Sequence, residues 1–334
     1  MISNAPVKVS VCVPVYKVEA YVERCARSLF EQTMKDGIEF IFVDDCSPDG
    51  SMDVVRRVLD NYPERRAQVR FVRHEVNKGR VAARWSGIRI ATGEYVTNCD
   101  SDDSVDPDLY ESMYAAAQSK SADVVVCPIK EIWMSGRKVI YEDDCKSIAE
   151  YVDTRLDSHA YNSLANKMFV RKAFEALGLG GGEDLYYGED LLLGTQLLLR
   201  CSGIAFVHGR FYNYHRVAES GTIALEDDIE HARQFVKIAQ LLLASLSPRH
   251  LPALTYFRHD CLIKLLRTRC CPAEEFLRLW PESRTWLCLK ADMRLCLYKK
   301  MLIFLCSRCY RVGMFVVCAL LVLQRCSRRL RNGS

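Results

Sequence analysis

Apolar and polar positions along the first hundred residues switch repeatedly between a strand-like and a helix-like pattern. Val9-Ser-Val-Cys-Val13 is a short apolar run rich in β-branched residues and ended by Pro14, which predicts a buried strand. From Glu19 to Gln32 the apolar positions fall at Tyr21, Val22, Cys25, Ala26, Leu29 and Phe30, a helical spacing. Phe40 to Val43 predicts a second strand, Ser51 to Leu59 a helix capped by Ser51, and Val69 to Val72 a third strand. Val81 to Thr92 then reads as a helix and Glu94 to Thr97 as a fourth strand. Such alternation predicts an α/β fold of parallel βαβ units, with ligands at the carboxyl ends of the strands. Three polar clusters fall at those ends: Pro14 to Tyr16, Asp44 to Asp49 and Asp100 to Asp103.

Beyond Pro107 the pattern is mixed. Leu109 to Ser119 predicts a helix, Asp123 to Cys127 a strand, Ile129 to Tyr141 a hairpin around Ser135-Gly136, and Asn166 to Val170 a strand. Gly178 to Gly182 reads as a turn, Glu189-Asp190 as the start of a helix reaching about Cys201, and Ile204 to Val207 and Phe211 to Tyr214 as last strands. From Glu226 the chain reads as helical: Ile229 to Leu246, Leu254 to Thr268, Ala273 to Trp280, then a basic apolar tail. The expected domains are 1–225, with a nucleotide-binding half at 1–105 and an acceptor-binding half at 106–225, and a helical region at 226–334.

Composition narrows the partners. At 334 residues and 49% hydrophobic, the chain has enough apolar material for one large core or two modest ones. A net charge of +4 does not by itself call for nucleic acid, and no nucleic-acid partner is expected. From Met293 onward, however, Arg and Lys recur with no Asp or Glu among them, which suits an anionic membrane surface. Sixteen cysteines lie mostly in apolar runs, where Cys acts as a small hydrophobe. Met1 to Lys8 lacks a charged start followed by an apolar stretch, so a cytosolic start with reduced thiols is expected. Cys306 and Cys309 form a lone C-x-x-C, read as helix packing because no second pair lies at zinc-ribbon spacing.

The candidate chemistry is acidic. Asp100-Ser101-Asp102-Asp103 crowds carboxylates that repel one another unless a cation or solvent intervenes, and hard oxygen ligands suit Mg²⁺ or Mn²⁺. An acidic turn capping the next helix would look the same. Asp44-Asp45 can accept hydrogen bonds from a base edge or ribose, or can cap a helix. Lys78 and Arg84, around Asn77-Lys78-Gly79, can face phosphates or structural acids. Glu189-Asp190 can take a proton from a hydroxyl, or simply complement a helix N-terminus. His208 and His215 flank the last strands, and either can touch a diphosphate or a metal.

Together these segments resemble the family 2 glycosyltransferases, from about Val9 to Thr222. The elements are Val13-Pro-Val-Tyr16 with Glu19, Val43-Asp-Asp-Cys-Ser-Pro-Asp-Gly50, Asn77-Lys-Gly79 with Ala82-Ala-Arg84 and Gly87, Gly93-Glu-Tyr95, Asp100-Ser-Asp-Asp103, Asn166-Lys167, Gly188-Glu-Asp190 and Tyr212-x-Tyr214. The resemblance implies a GT-A, Rossmann-like fold and an inverting hexosyl transfer from a nucleotide-diphosphate sugar, UDP-linked, to a hydroxyl of a glycan or lipid-linked acceptor. It implies nucleotide contacts from Pro14, Tyr16, Glu19, Asp44, Asp45, Lys78, Arg84, Asp100 and Ser101. It also implies a Mn²⁺ or Mg²⁺ ion on Asp102 and Asp100, and a catalytic base at Asp190 with Glu189 beside it. Cys46, Arg80 and Trp85 depart from the family pattern next to the donor pocket, where Gly, a small or apolar residue, and Asn are usual.

Met301 to Cys306 and Val312 to Leu323 are apolar but separated by Arg308 and Arg311, and neither reaches the ~20 residues of a bilayer span. An interfacial helix is expected, with the protein peripheral on the inner face of the cell membrane in surface-polysaccharide or glycolipid synthesis. Packing of the tail on its own domain is the alternative. Two other functions fit less well. A nucleotidyltransferase would show a Gly-rich basic phosphate loop, and a dinucleotide oxidoreductase would show G-x-G-x-x-G after the first strand; neither is present. A non-catalytic sugar-nucleotide binder would share every motif.

Overall fold

In the computed structural model of the chain, residues 6–157, 160–182, 184–216 and 228–320 are described. The chain forms two compact units, Met1–Glu219 and Ser220–Ser334. The first unit holds strands β1 (Val9–Val15), β2 (Ile38–Asp44), β3 (Val69–Arg73), β4 (Tyr95–Asn98), β5 (Ser104–Val105), β6 (Val124–Val126), β7 (Ile129–Trp133), β8 (Lys138–Tyr141), β9 (Lys167–Val170), β10 (Ile204–Phe206) and β11 (Tyr212–Arg216). Its helices are α1 (Val22–Phe30), α2 (Ser51–Leu59), α3 (Arg80–Ile90), α4 (Leu109–Lys120), α5 (Ile148–Leu156), α6 (Arg171–Leu177) and α7 (Glu189–Leu198).

Seven strands form one sheet in the order β10-β6-β9-β4-β1-β2-β3, and β5-β11-β7-β8 form a second. β1 and β2 are buried at every position, as their unbroken apolar runs require of strands covered on both faces. Cys12 pairs with Asn98 and Val15 with Asp44, so β4, β1 and β2 end side by side. The polar clusters that follow them therefore share one edge.

The structure departs from the sequence reading in several places; Gly50, for one, takes the capping position of α2, and Ser51 is its first residue. β9 runs antiparallel to both β4 and β6 within an otherwise parallel sheet, because the chain makes an excursion through β7, β8 and α5 before re-entering it. Helices α5 and α6 were not anticipated. Ser147 caps α5 by accepting the Glu150 N–H at 3.2 Å, while the Glu150 carboxylate accepts the Lys146 N–H at 2.8 Å.

The second unit is helical: α8 (Ile229–Ser245), α9 (Leu251–Thr268), α10 (Ala273–Arg278), α11 (Trp286–Ala291) and α12 (Leu297–Arg308). The helix ends at Cys309 (φ −144°) and a further helix runs from 310 to the last described residue, 320. That stretch packs on its own unit: the Tyr310 hydroxyl donates to the Cys271 carbonyl at 2.6 Å, and Gly313 is buried against Cys306. The end of the expected 312–323 run lies outside the described residues. Among the described residues no helix is long and apolar enough to cross a membrane, and the cysteines are free thiols.

The turn before β4 is clamped to β1 and β2. Ser10 Oγ accepts the Gly93 N–H at 2.8 Å and donates to Glu39 at 2.6 Å, and Glu39 also accepts from the Thr92 N–H and hydroxyl. A Cβ on Gly93 would lie 2.7 Å from Ser10 N and Oγ. Gly93→Ala is therefore expected to cost about 1–3 kcal/mol of stability, read from the urea midpoint; an unchanged midpoint would contradict this packing.

Candidate active site

Backbone geometry fixes the loops at the sheet edge. Asp45 is buried, and its oxygens accept the N–H groups of Lys78 and Gly79 at 2.8 Å each. The His74 Nδ1 lies 2.7 Å from Asp45, and its Nε2 lies 2.8 Å from the Ser86 hydroxyl. Asp45 thus ties the β3–α3 turn, with its Gly79 at φ 87°, to the end of β2. With three donors on two oxygens it has little capacity left for a base or ribose. Asp44 is less committed, accepting the Ser47 N–H at 2.8 Å with Arg73 at 3.5 Å. Glu19 accepts the Gly50 N–H at 2.8 Å, joining the loops after β1 and β2. Pro14 is buried inside β1, whereas Tyr16 and Lys78 are exposed.

The centre of the site is Arg84, buried on α3. Its guanidinium lies 2.9 Å from Asp100 Oδ1, 2.5 Å from Asp190 Oδ1 and 3.4 Å from Glu189 Oε1. Burial opposes its charge, but Asp190, Asp100 and Glu189 outweigh that and raise its pKa. Asp100 in turn is lowered: burial opposes ionisation, and the cations Arg84 and Arg80 override it. Two acids ninety positions apart in sequence are thereby drawn to one cation.

The other acids of the cluster are held differently. Arg24 donates to the Asp102 carbonyl, and no ion pair to the Asp102 carboxylate is found among the described residues. Burial and then Asp100 raise the Asp102 pKa, the condition a cation would relieve. Asp103 is fully buried and accepts the Tyr212 hydroxyl at 2.6 Å and the His215 N–H at 2.8 Å, locking β11 to this loop. Ser101 is buried. Among the described residues no three His, Cys, Asp or Glu side chains converge as a ligand cluster. Two carboxylates fit Mg²⁺ or Mn²⁺ nevertheless, since such ions are commonly held by one or two carboxylates and substrate phosphates. Asp102 and Asp100 would hold the ion here.

A cavity of about 280 Å³ opens beside this cluster, lined by Arg80, Asp100, Asp103, Tyr161, Ser163 and Asp190, among others. Gly188, at φ 73°, starts α7 so that Asp190 reaches the cavity. Glu189 does not line it: its buried carboxylate pairs with Arg80 and Arg84, and burial followed by Asp190 raises its pKa. Of the two acids expected as catalytic, Glu189 is therefore a tether. His208 sits outside as well, exposed and 2.6 Å from Glu142.

Arg155 escaped the sequence reading, and Lys167 was named there without a role. Arg155 donates to the Asp190 carbonyl at 2.8 Å. Lys167, fully buried, donates to the carbonyls of Tyr161 and Ser163 at 3.1 and 2.7 Å and so shapes the cavity wall. The Lys167 sequence signal was present, but its target loop had none. Of the three departures from the family pattern, Arg80 lines the cavity. Trp85 instead points into the core, donating to the Gly181 carbonyl at 2.8 Å and meeting Phe174 edge-on. Cys46 adopts φ 58°, the left-handed conformation that explains why Gly is usual there.

Known proteins share this architecture. The sequence pattern of Glycosyl transferase family 2 matches residues 10–178. Glycosyltransferase GlyG of Streptococcus pneumoniae is 30% identical over 259 residues, covering 71% of this chain and 82% of that protein. Among solved structures, S. aureus TarS in complex with UDP-GlcNAc superposes with a TM-score of 0.58 at 17% identity, covering 92% of each chain. The mannosyltransferase PcManGT of Pyrobaculum calidifontis, in complex with GDP-Man and Mn²⁺, gives 0.58 at 19% identity, covering 94% and 89%. An edge of carboxylates on this sheet, matched along half the chain, makes the protein a member of glycosyl transferase family 2, an enzyme of the GT-A-like α/β fold.

His215 supplies a pH test of the loop geometry. Its Nε2 lies 2.9 Å from the Ser104 hydroxyl, and burial, then Arg24, pushes its pKa from 6.5 down to about 4. The unfolded chain binds a proton in that interval that the folded chain refuses, so stability should fall as pH drops from 6.5 towards 4. His215→Gln should flatten that decline in urea denaturation; an identical slope would contradict it.

Proposed function

We propose that the enzyme transfers a sugar from a nucleotide-diphosphate donor, a UDP-sugar, to an acceptor hydroxyl with inversion, in the synthesis of a surface polysaccharide or glycolipid. The observation that carries the reading is the single Arg84 guanidinium joining Asp100, at the start of the D-x-D, to Asp190 on the wall of one cavity. The nucleotide would lie along the loops of Pro14, Tyr16, Glu19, Asp44 and Lys78. Asp45 would act on it indirectly, by holding the Lys78-Gly79 turn. Bound at Asp102 and Asp100, Mn²⁺ or Mg²⁺ would neutralise charge on the departing diphosphate. The nucleotides of the TarS and PcManGT complexes support a sugar-nucleotide donor, and the Mn²⁺ of the latter supports a divalent ion.

Asp190 takes the proton of the acceptor hydroxyl while the hydroxyl's oxygen bonds to the anomeric carbon. The bond from that carbon to the diphosphate oxygen breaks on the opposite face, and the nucleoside diphosphate leaves with the electron pair. Arg84 and the Leu164 N–H, at 3.3 Å from Asp190 Oδ2, hold the base in place while each oxygen keeps a free lone pair. The basic apolar character of the chain after Met293 supports a lipid-linked acceptor reached from the cytoplasmic membrane face, with the C-terminal tail on anionic lipid.

Incubation with a panel of UDP-sugars and Mn²⁺ should release UDP. Asp190→Asn should lower kcat by about 10²- to 10⁴-fold, and Asp102→Asn should raise the Mn²⁺ concentration needed for half-maximal rate. Undiminished turnover in both variants would overturn these roles.

A further inference from the structure

We infer that the outer face of α11 and α12 in the second unit is a docking surface for an anionic lipid bilayer. This goes beyond the transfer reaction, since a chain without turnover would still bind.

The first observation is charge. From Ser220 onward the chain carries 19 Lys and Arg against 9 Asp and Glu, whereas the residues before it carry 27 against 33. A modest total of +4 conceals an acidic catalytic unit followed by a strongly basic second one.

The second observation is that α12 is apolar on both sides. Leu302, Ile303 and Cys306 are buried in the unit's own core. Leu297, 65% exposed, and Met301 lie one turn apart on the outside. The α12 sequence also carries Lys299, Lys300 and Arg308, so the exposed apolar side chains stand among basic ones, as on a helix that lies in a membrane interface. The neighbouring helix extends the same surface: Trp286 on α11 meets Phe304 at 5.4 Å, and the Lys300 ammonium reaches the Lys290 carbonyl at 3.3 Å. Leu287, 81% exposed, and Met293, 90% exposed, stand on α11 and in the turn that leads to α12.

The third observation is how the basic groups frame these side chains. Lys290, Lys300 and Arg308 flank them, the Arg308 guanidinium lying 5.5 Å from the Phe304 ring, and no Asp or Glu follows Asp292. Ammonium and guanidinium heads at phosphate level, with Leu, Met and Trp below, is the arrangement an interfacial helix uses. A nucleic acid or soluble polyanion would engage the cations and leave Leu287, Met293 and Leu297 in water. The face also differs from the tail beyond residue 320, whose run of arginines is not needed for it.

The test is flotation of the full chain with vesicles of phosphatidylcholine and phosphatidylglycerol in equal parts, against pure phosphatidylcholine. The parent should float with the anionic vesicles only, and raised salt should release it as the charges are screened. Combining Leu287→Ser, Met293→Ser and Leu297→Ser should reduce binding at least about tenfold, as should Lys290→Glu with Lys300→Glu. Retained helical circular dichroism would show that the second unit stays folded. Parental binding by either variant would move the contact elsewhere, the tail included, and overturn the proposal. So would a parent that ignores vesicles but self-associates through this face, becoming monomeric in the triple variant.

Discussion

The site depends on one buried cation shared by three carboxylates. Arg84 comes from α3, Asp100 from the end of β4, and Glu189 and Asp190 from the start of α7. None of the partners could be removed cheaply. A guanidinium at this depth is tolerable only because its charge is matched, and breaking such a buried group typically costs about 3–5 kcal/mol. Its planar fork serves two acids at once, which an ammonium cannot do with the same directionality. The arrangement couples the loop that would meet the donor to the helix that carries the candidate base.

The sheet supplies the frame for that coupling. β4, β1 and β2 end in register, and two side chains accepting backbone N–H groups tie the edge together: Glu19, from Gly50, joins the loops after β1 and β2, and Asp45, from Lys78 and Gly79, joins the end of β2 to the turn after β3. Asp103 fastens β11 to the same edge through Tyr212 and His215. Much of the acidity that looks like chemistry is therefore architecture, and the acids that would be left to meet a substrate in the proposed reaction are few: Asp44, Asp100, Asp102 and Asp190. Arg80 joins them from the rim of the cavity.

The parallel half of the fold was legible because buried strands leave unbroken apolar runs and each is followed by a polar cluster. The orientation of β9 was not, since an apolar run reads the same in either direction. Helix α5 left a readable signal in Ser147 and Glu150, hidden by the irregular residues around it. The family resemblance put the base at Asp190, but the residue pattern by itself did not separate Glu189 from Asp190. On a helix adjacent residues point about 100° apart, and only the fold decides which one faces the cavity. Arg84 stood out in the sequence as able to face phosphates or structural acids, but only the fold, by bringing Asp100, Glu189 and Asp190 to it, decided for the acids over a nucleotide contact. His74 was overlooked for a similar reason: its partner Asp45 lies on another strand.

The most direct measurement is steady-state UDP release by Arg84→Met and Arg84→Lys, each checked for folding by circular dichroism. Loss of the shared cation should let Asp100 and Asp190 part, lowering kcat by at least about 10²-fold in Arg84→Met, as misplacement of reacting groups does. Arg84→Lys should recover only part of that loss. A folded Arg84→Met enzyme with parental turnover would contradict the account.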